Sequence, residues 1–229
     1  DEFKLVLDGV NYDLIKESTT NQYHTKIESF LYIEQVQNGS ANSYGPYWIV
    51  KTKDGAQYQF GFFMHSETAG TENLLVWRWS LDTVRNTHGN IINYTYQEDP
   101  FGDTGTVYLD KIEYNSDRKR LIDFAYENTN RPDIWDYFDN GNRIKELRRL
   151  KEISISADSK LVRKYEFSYS YDATNMAGYS FLSKITEFGT DNQTSLPPTS
   201  FQFYTTTNTW TPDNSLKTQE CDSSSQRGC

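Results

Sequence analysis

The chain has 229 residues, room for about one and a half domains of ordinary size, with a net charge of −9 and a pI near 4.9. That charge argues against nucleic acid or anionic lipid as a partner, and no apolar run approaches the ~18–20 residues of a membrane-spanning helix. The departure from ordinary composition is aromatic: 17 Tyr, 13 Phe and 5 Trp bring that class to 15%, and Tyr and Phe favour pleated, half-buried strands.

In chain order the first signal is a hairpin. Phe3–Leu7 alternates, Asp8-Gly9 supplies the two positive-φ turn positions, and Val10–Ile15 returns. Asp54-Gly55 repeats the device between strands over 48–53 and 56–63, where Tyr58, Phe60 and Phe62 share a face. A third pair, 76–84 and 91–96, turns across Asn86-Thr87-His88-Gly89-Asn90. Beyond residue 100 a looser repeat appears. Leu109 with Ile112, Leu150 with Ile153, and Leu182 with Ile185 each open a strand, followed by a turn and an aromatic strand over 121–126, 161–171 and 201–204. Hairpins at irregular intervals predict a strip of antiparallel strands growing sideways. One segment reads as a helix: Ile144, Leu147 and Leu150 recur at i, i+3 among Arg, Lys and Glu. Basic residues around 118–120 and 143–151 are candidates to protect open sheet edges. The fold class expected is therefore all-β, a large curved sheet forming a shell segment or a sandwich-like layer, with at most one short helix. Residues 1–204 form one module and 205–229 a polar tail or linker.

The cysteines, Cys221 and Cys229, both lie in that tail. They are the candidate disulfide, the alternative being two free thiols. Three Asn-x-Ser/Thr triplets, at Asn38, Asn93 and Asn192, arise easily by chance in a chain this rich in Ser and Thr.

Chemistry is sparse. His24, His65 and His88 form no metal spacing. Asp133, Asp136 and Asp139 precede Asn140-Gly141-Asn142, but an EF-hand begun at Asp136 meets Phe138 at position 3 and Leu147 at position 12. Arg131 and Asp133 are spaced to pin that loop. No cofactor is expected. Trp48, Trp77, Trp79, Trp135 and Trp210 are the rings able to stack on a sugar. Trp77 and Trp79 share a strand face and are the candidate platform, with packing against a second layer as the alternative. The 32 Asp and Glu leave a glycoside hydrolase's carboxylate pair unselected.

The ordered series of motifs resembles one family. Tyr23, Thr25, Phe30 and Ile33 fit its early strands. Tyr47-Trp48-Ile49-Val50, Asp54-Gly55 and Tyr58-Gln59-Phe60-Gly61 fit its first clear hairpin. Trp79-Ser80-Leu81, His88-Gly89-Asn90, Ile92, Tyr94 and Tyr96 fit the next block. Arg131 with Asp133, Val162-Arg163 with Tyr165, and Leu196-Pro197-Pro198 with Phe201 and Tyr204 complete the series. These segments resemble the amino-terminal region of the Salmonella virulence plasmid B protein family, shared with B components of insecticidal toxin complexes and related to Rhs/YD-repeat proteins. The resemblance implies a non-enzymatic scaffold or encapsulating module of a secreted or cell-surface, toxin-like protein. Its partners would be adjacent β modules of the same or another toxin subunit. Any enzymatic activity would reside in a separate domain, which nothing in this chain matches. A carbohydrate-binding module using the Trp77 and Trp79 face, with glycans as partners, is the alternative.

Overall fold

The computed structural model describes residues 3–42, 45–69, 76–98, 105–115, 119–139, 141–171 and 178–203. Every regular element among them is a strand. The first nine are β1 (Phe3–Leu7), β2 (Val10–Lys16), β3 (Gln22–Thr25), β4 (Tyr32–Val36), β5 (Tyr47–Lys51), β6 (Gln57–Phe60), β7 (Glu67–Ala69), β8 (Val76–Trp79) and β9 (Leu81–Arg85). The rest are β10 (Ile91–Glu98), β11 (Val107–Tyr114), β12 (Arg120–Tyr126), β13 (Trp135–Asp139), β14 (Asn142–Glu146), β15 (Leu150–Ala157), β16 (Lys160–Tyr171), β17 (Ser180–Phe188) and β18 (Thr199–Ser200). Fourteen of these form one antiparallel sheet in chain order, from β1 at one edge to β18 at the other, and the sheet does not close into a barrel. The hairpins β7–β8 and β13–β14 are inserted into the meander as separate two-stranded pairs.

Three sequence expectations change. The segment read as a helix is not helical: Ile144 lies in β14, Leu150 opens β15, and Leu147 falls in the connection between them. Its i, i+3 spacing comes from two strands whose alternation is reset by that connection. The strand expected over 76–84 is broken at Ser80, so that β8 pairs with β7 while β9 joins the main sheet. The basic residues expected at the edges include Arg120 in β12 and Lys151 in β15, strands with neighbours on both sides. The β18 edge is blunted differently, by its length of two residues and by Pro197 and Pro198 just before it.

Strands β1 to β9 curl around a single core. Leu5, Leu7, Leu14, Tyr23, Ile33, Trp48, Val50 and Phe60 are buried together, with Phe3, Trp79 and Leu81 packed against them. The curl brings the first strand back over the eighth, because Phe3 meets Tyr23, Trp48 and Trp79 edge to face at centroid distances of 5.8, 5.1 and 5.9 Å. The Asp8-Gly9 turn that starts this arrangement has positive φ at both residues, as its two-residue hairpin requires.

Strands β10 to β18 form a strip whose residues are mostly half-buried, and one device repeats across it. Leu81 pairs with Phe60, Leu109 with Tyr96, Leu150 with Tyr126, and Leu182 with Tyr169. At each pairing the register slips by one, leaving Asp82, Asp110, Lys151 or Ser183 as the extra residue of a β-bulge. The bulge explains the repeat's odd spacing. A strand alternates every two residues, so Leu and Ile three apart share a face only when one residue between them is bulged out. Each Tyr then donates its hydroxyl to the carbonyl of the preceding unit's Leu: Tyr96 to Leu81 at 2.5 Å, Tyr126 to Leu109 at 2.8 Å and Tyr169 to Leu150 at 2.7 Å. Burial pushes all three phenols above their ordinary pKa, Tyr126 to about 12, so they remain donors at any ordinary pH.

The hairpin β13–β14 clasps the strip. Ile144 and Leu147 are buried beside Tyr108, whose hydroxyl accepts from the Leu147 and Arg148 amides at 3.2 and 3.3 Å. Thr106 donates to the Lys145 carbonyl at 2.9 Å. Among the described residues no helix is long and apolar enough to cross a membrane.

Candidate functional site

A cleft of about 570 Å³ lies between β1 and β8. Phe3, Lys4, Leu5 and Val6 form one wall, and Trp77, Arg78, Trp79 and Ser80 the other. Trp48, Val50 and Phe60 line its interior, and Asp139 at the end of β13 also borders it. It is an apolar trough with two cations and one carboxylate among its lining residues.

The β8 wall is held by a latch. Asp82, fully buried, accepts hydrogen bonds from the Phe62 amide, from the Phe63 amide at 3.1 Å and from the Ser66 hydroxyl at 3.0 Å. It thereby fixes the loop that leads into β7. Burial lifts its carboxyl to about 6, against the lowering effect of those donors. At Gly61, φ is +71°, and a Cβ there would meet Trp79 Cδ1 at 2.2 Å, so a glycine is needed for both backbone and space. Trp79 is fixed further by its indole N–H, which donates to the Pro46 carbonyl at 2.9 Å.

The two predicted platform rings thus both reach the cleft, in different states. Trp79 belongs to the aromatic core, edge-on to Trp48 at 5.8 Å. Trp77 is half-buried under the Arg78 guanidinium, 4.9 Å from its ring centre, and among the described residues its buried indole N–H has no acceptor. Trp135 is half-exposed on β13, edge-on to Tyr137. Trp210, Tyr204 and the candidate disulfide Cys221 and Cys229 lie outside the described residues.

The predicted acidic loop is a strand, and it disperses its carboxylates. Asp136 pairs with Arg143 across the hairpin, and Asp139 borders the cleft. Asp133 is buried, bonded twice by Arg131 at 3.0 and 3.1 Å and by the Ser180 amide at 2.6 Å and its hydroxyl. Burial alone would raise this carboxyl; the bonds from Arg131 and Ser180 outweigh it and hold the group well below the usual carboxylate range. Arg149 extends the network to Glu127 at 2.8 and 2.9 Å and to Ser180 at 2.8 Å. Every charge here is matched, so this is an anchor for the 127–134 connection rather than a reactive centre.

His24 lies exposed on β3 and His88 in the β9–β10 turn, where its amide donates to Asn86 at 2.9 Å. His65 sits 3.4 Å from Glu98. Among the described residues no three His, Cys, Asp or Glu side chains gather as a metal site would require. Sequence reasoning missed Asp82, whose partners lie 16 to 20 residues away. It also missed the Tyr rungs, although the Leu-x-x-Ile spacing was their visible trace.

The model of the family described as Salmonella virulence plasmid 65kDa B protein matches residues 9–130. Among solved structures, TcdB2-TccC3 is similar with a TM-score of 0.62 at 15% identity, over 86% of this chain and 12% of that one. A second form, TcdB2-TccC3-TEV, gives 0.62 at 16% over the same shares. The N-terminal domain of effector protein SpvB from Salmonella typhimurium strain LT2 is similar with a TM-score of 0.58 at 14% identity, over 82% of this chain and 74% of that one. At such identities the likeness is one of fold, and the chain spans only about an eighth of the TcdB2-TccC3 chain. No curated protein matches the sequence. Matched by that model over more than half its length and similar in fold to these structures, the chain belongs to the Salmonella virulence plasmid B protein family and is a toxin-related β module.

Proposed function

We propose that this chain is a non-enzymatic scaffold, a stretch of wall in an encapsulating β-shell of a secreted or surface-displayed toxin-like protein. The observation that carries this is the character of the sheet. Among the described residues it is open at β1 and β18, and its second half leaves residues of both faces half-buried. A sandwich would bury one face under another layer. A wall has water on both sides, and it is served by rings that end in a hydroxyl. The Tyr rungs fit that need, since each buries an aromatic body and places its polar end on a backbone carbonyl. The wider protein TcdB2-TccC3, of which this fold forms a small part, supports association with further toxin subunits. Electron cryo-microscopy of the module joined to its flanking modules tests the proposal. A continuous shell wall, with an edge strand running into a neighbour's sheet, is the expected result. Separate beads on linkers would overturn it.

A further inference from the structure

We infer that the loop between β6 and β7 is a pH-sensitive latch, shut in acid and loosened at neutral pH, where it frees the β7–β8 hairpin to move away from the aromatic core. The inference stands apart from the scaffold role.

The latch has an inner and an outer catch on adjacent residues. Inside, the Phe62 and Phe63 amides and the Ser66 hydroxyl all donate to Oδ2 of Asp82, which is fully buried beneath the loop. Among the described residues Oδ1 of the same carboxyl has no hydrogen-bond partner, and no Lys, Arg or His pairs with it. The other ionisable groups around it are Tyr96 and Tyr94 on β10, Arg78 on β8, which acts on Tyr96, and Glu67, fully buried on β7. A negative charge here lacks both water and a counter-ion, whereas the neutral acid keeps its acceptor oxygen. Burial accordingly lifts the carboxyl to about 6, and the stability it lends the closed loop, complete below about pH 4, is lost as pH rises through that value. An ionised Asp82 is relieved by water, and the loop must open to admit it. Outside, His65 Nδ1 lies 3.4 Å from Glu98 of β10. That contact is ionic only while the imidazole is protonated, so it weakens in the same direction. Its side chains are 44% and 20% exposed, which makes it the lesser catch.

The loop also carries the hairpin. The Gly61 amide donates to the Ser80 carbonyl at 3.0 Å, and the Ser80 amide donates to the Ser66 carbonyl at 2.6 Å. Ser80 is the residue at which β8 ends and the main sheet resumes in β9. Strands β7 and β8 pair with each other as a separate unit, so loosening residues 61–66 loosens the root of that unit. Trp79 sits on the root, with its ring against Gly61 and edge-on to Phe3 and Trp48. The closed loop holds His65 at a φ of +67°. That region is costly for a residue with a side chain, and opening relieves it.

The test is hydrogen exchange on the whole chain at pH 5.5 and pH 7.5, corrected for the intrinsic effect of pH on exchange. Protection of the Phe62, Phe63 and Ser66 amides, and of the Trp79 indole N–H that bonds to Pro46, should fall at least tenfold at the higher pH. At pH 7.5 it should also stand at least tenfold below that of the Ile33 and Val50 amides in the core and respond less to urea, as a local opening does. Asp82→Asn should reduce the pH effect below threefold, and His65→Gln should leave most of it. The Asp82 carboxyl, followed by its carbon-13 resonance in the unsubstituted chain, should titrate at about 6, a readout that needs no variant to fold. A midpoint below about 5, a full pH effect in the Asp82→Asn chain, its loss in the His65→Gln chain, or loop protection equal to that of the core would overturn the inference.

Discussion

Strands β1 to β9 and strands β10 to β18 belong to one sheet but hold together by different means. The first group curls until its own aromatic and aliphatic side chains fill the concave side, giving a core in which Ile33 and Val50 are essentially inaccessible. Among the described residues the second group's buried apolar side chains are Tyr108, Ile144 and Leu147, where β13–β14 clasps it. Its longer strands carry half-buried side chains, Tyr hydroxyls bonded to carbonyls two strands' worth of chain earlier, and ion pairs across strands. Even its most buried side chain on β16 is a charge: Lys164, between Glu166 at 2.7 Å and Glu152 at 3.9 Å, over the ring of Phe188. A single layer can thus be stabilised by wrapping or by stitching, and this chain does each in turn.

Truncation should separate the two most strongly. Trp48→Ala removes the centre of the wrapped half and is expected to cost about 3–5 kcal/mol, whereas Phe167→Ala in the strip should cost about 2 kcal/mol or less, its ring being only half-buried. Urea unfolding measures both, and equal costs would erase the contrast. Of similar size, Asp133→Ala leaves Arg131 and the Ser180 amide without their partner and should cost about 3 kcal/mol. The Asp133 carboxyl lies below its ordinary value of 3.8, so its contribution is present above about pH 4 and is lost as the medium turns more acid.

Asp82 carries the opposite sign. Its carboxyl is raised from 3.8 to about 6, so the linked stability is complete below about pH 4 and is lost as pH rises through 6. Over that window the amount is about 3 kcal/mol. Asp82→Asn should flatten the difference in unfolding free energy between pH 4.5 and pH 7 relative to the parent chain; an unchanged slope would show that the latch titrates elsewhere. The smallest effects belong to the rungs. Tyr96→Phe, Tyr126→Phe and Tyr169→Phe should each cost about 1 kcal/mol. Successive rungs lie two strands apart, about 9–10 Å, so the triple variant should cost close to the sum. Much larger losses would mean that the strip behaves as one cooperative network.

The legible part of this fold was the part written in local chemistry. Asp8-Gly9 and Asp54-Gly55 announce hairpins because few other pairs accept positive φ so readily; Asp8-Gly9 has it at both residues, whereas the second turn is a three-residue loop, 53–55, with positive φ at Gly55 but not at Asp54. The Leu-x-x-Ile repeat was visible as a pattern, but its meaning depended on a bulge set by pairing with a distant strand. The same spacing at Ile144, Leu147 and Leu150 looked helical, because periodicity cannot see a chain break. Trp77 and Trp79 could be paired from the sequence, yet only the curl of β1 decides that one is core and the other a wall of the cleft. Asp82 was hidden among 32 acidic residues for the same reason, since its donors come from another strand's loop.

The stitched strip also has a beginning and an end. Phe60 stands opposite the first bulge, and continuing the β17–β18 register by three residues sets Phe203 opposite Phe181, with rings 4.7 Å apart. That position is held by a rung Tyr in each earlier unit, so both terminal places carry a ring without a hydroxyl. Each unit advances the chain by one outgoing and one returning strand and restores the facing of its side chains. The sheet can therefore gain or lose whole units, and can carry an insert such as β13–β14 between two of them, without turning any residue to the wrong side. In such a protein, sheet width becomes a quantity that duplication can change in even steps of two strands.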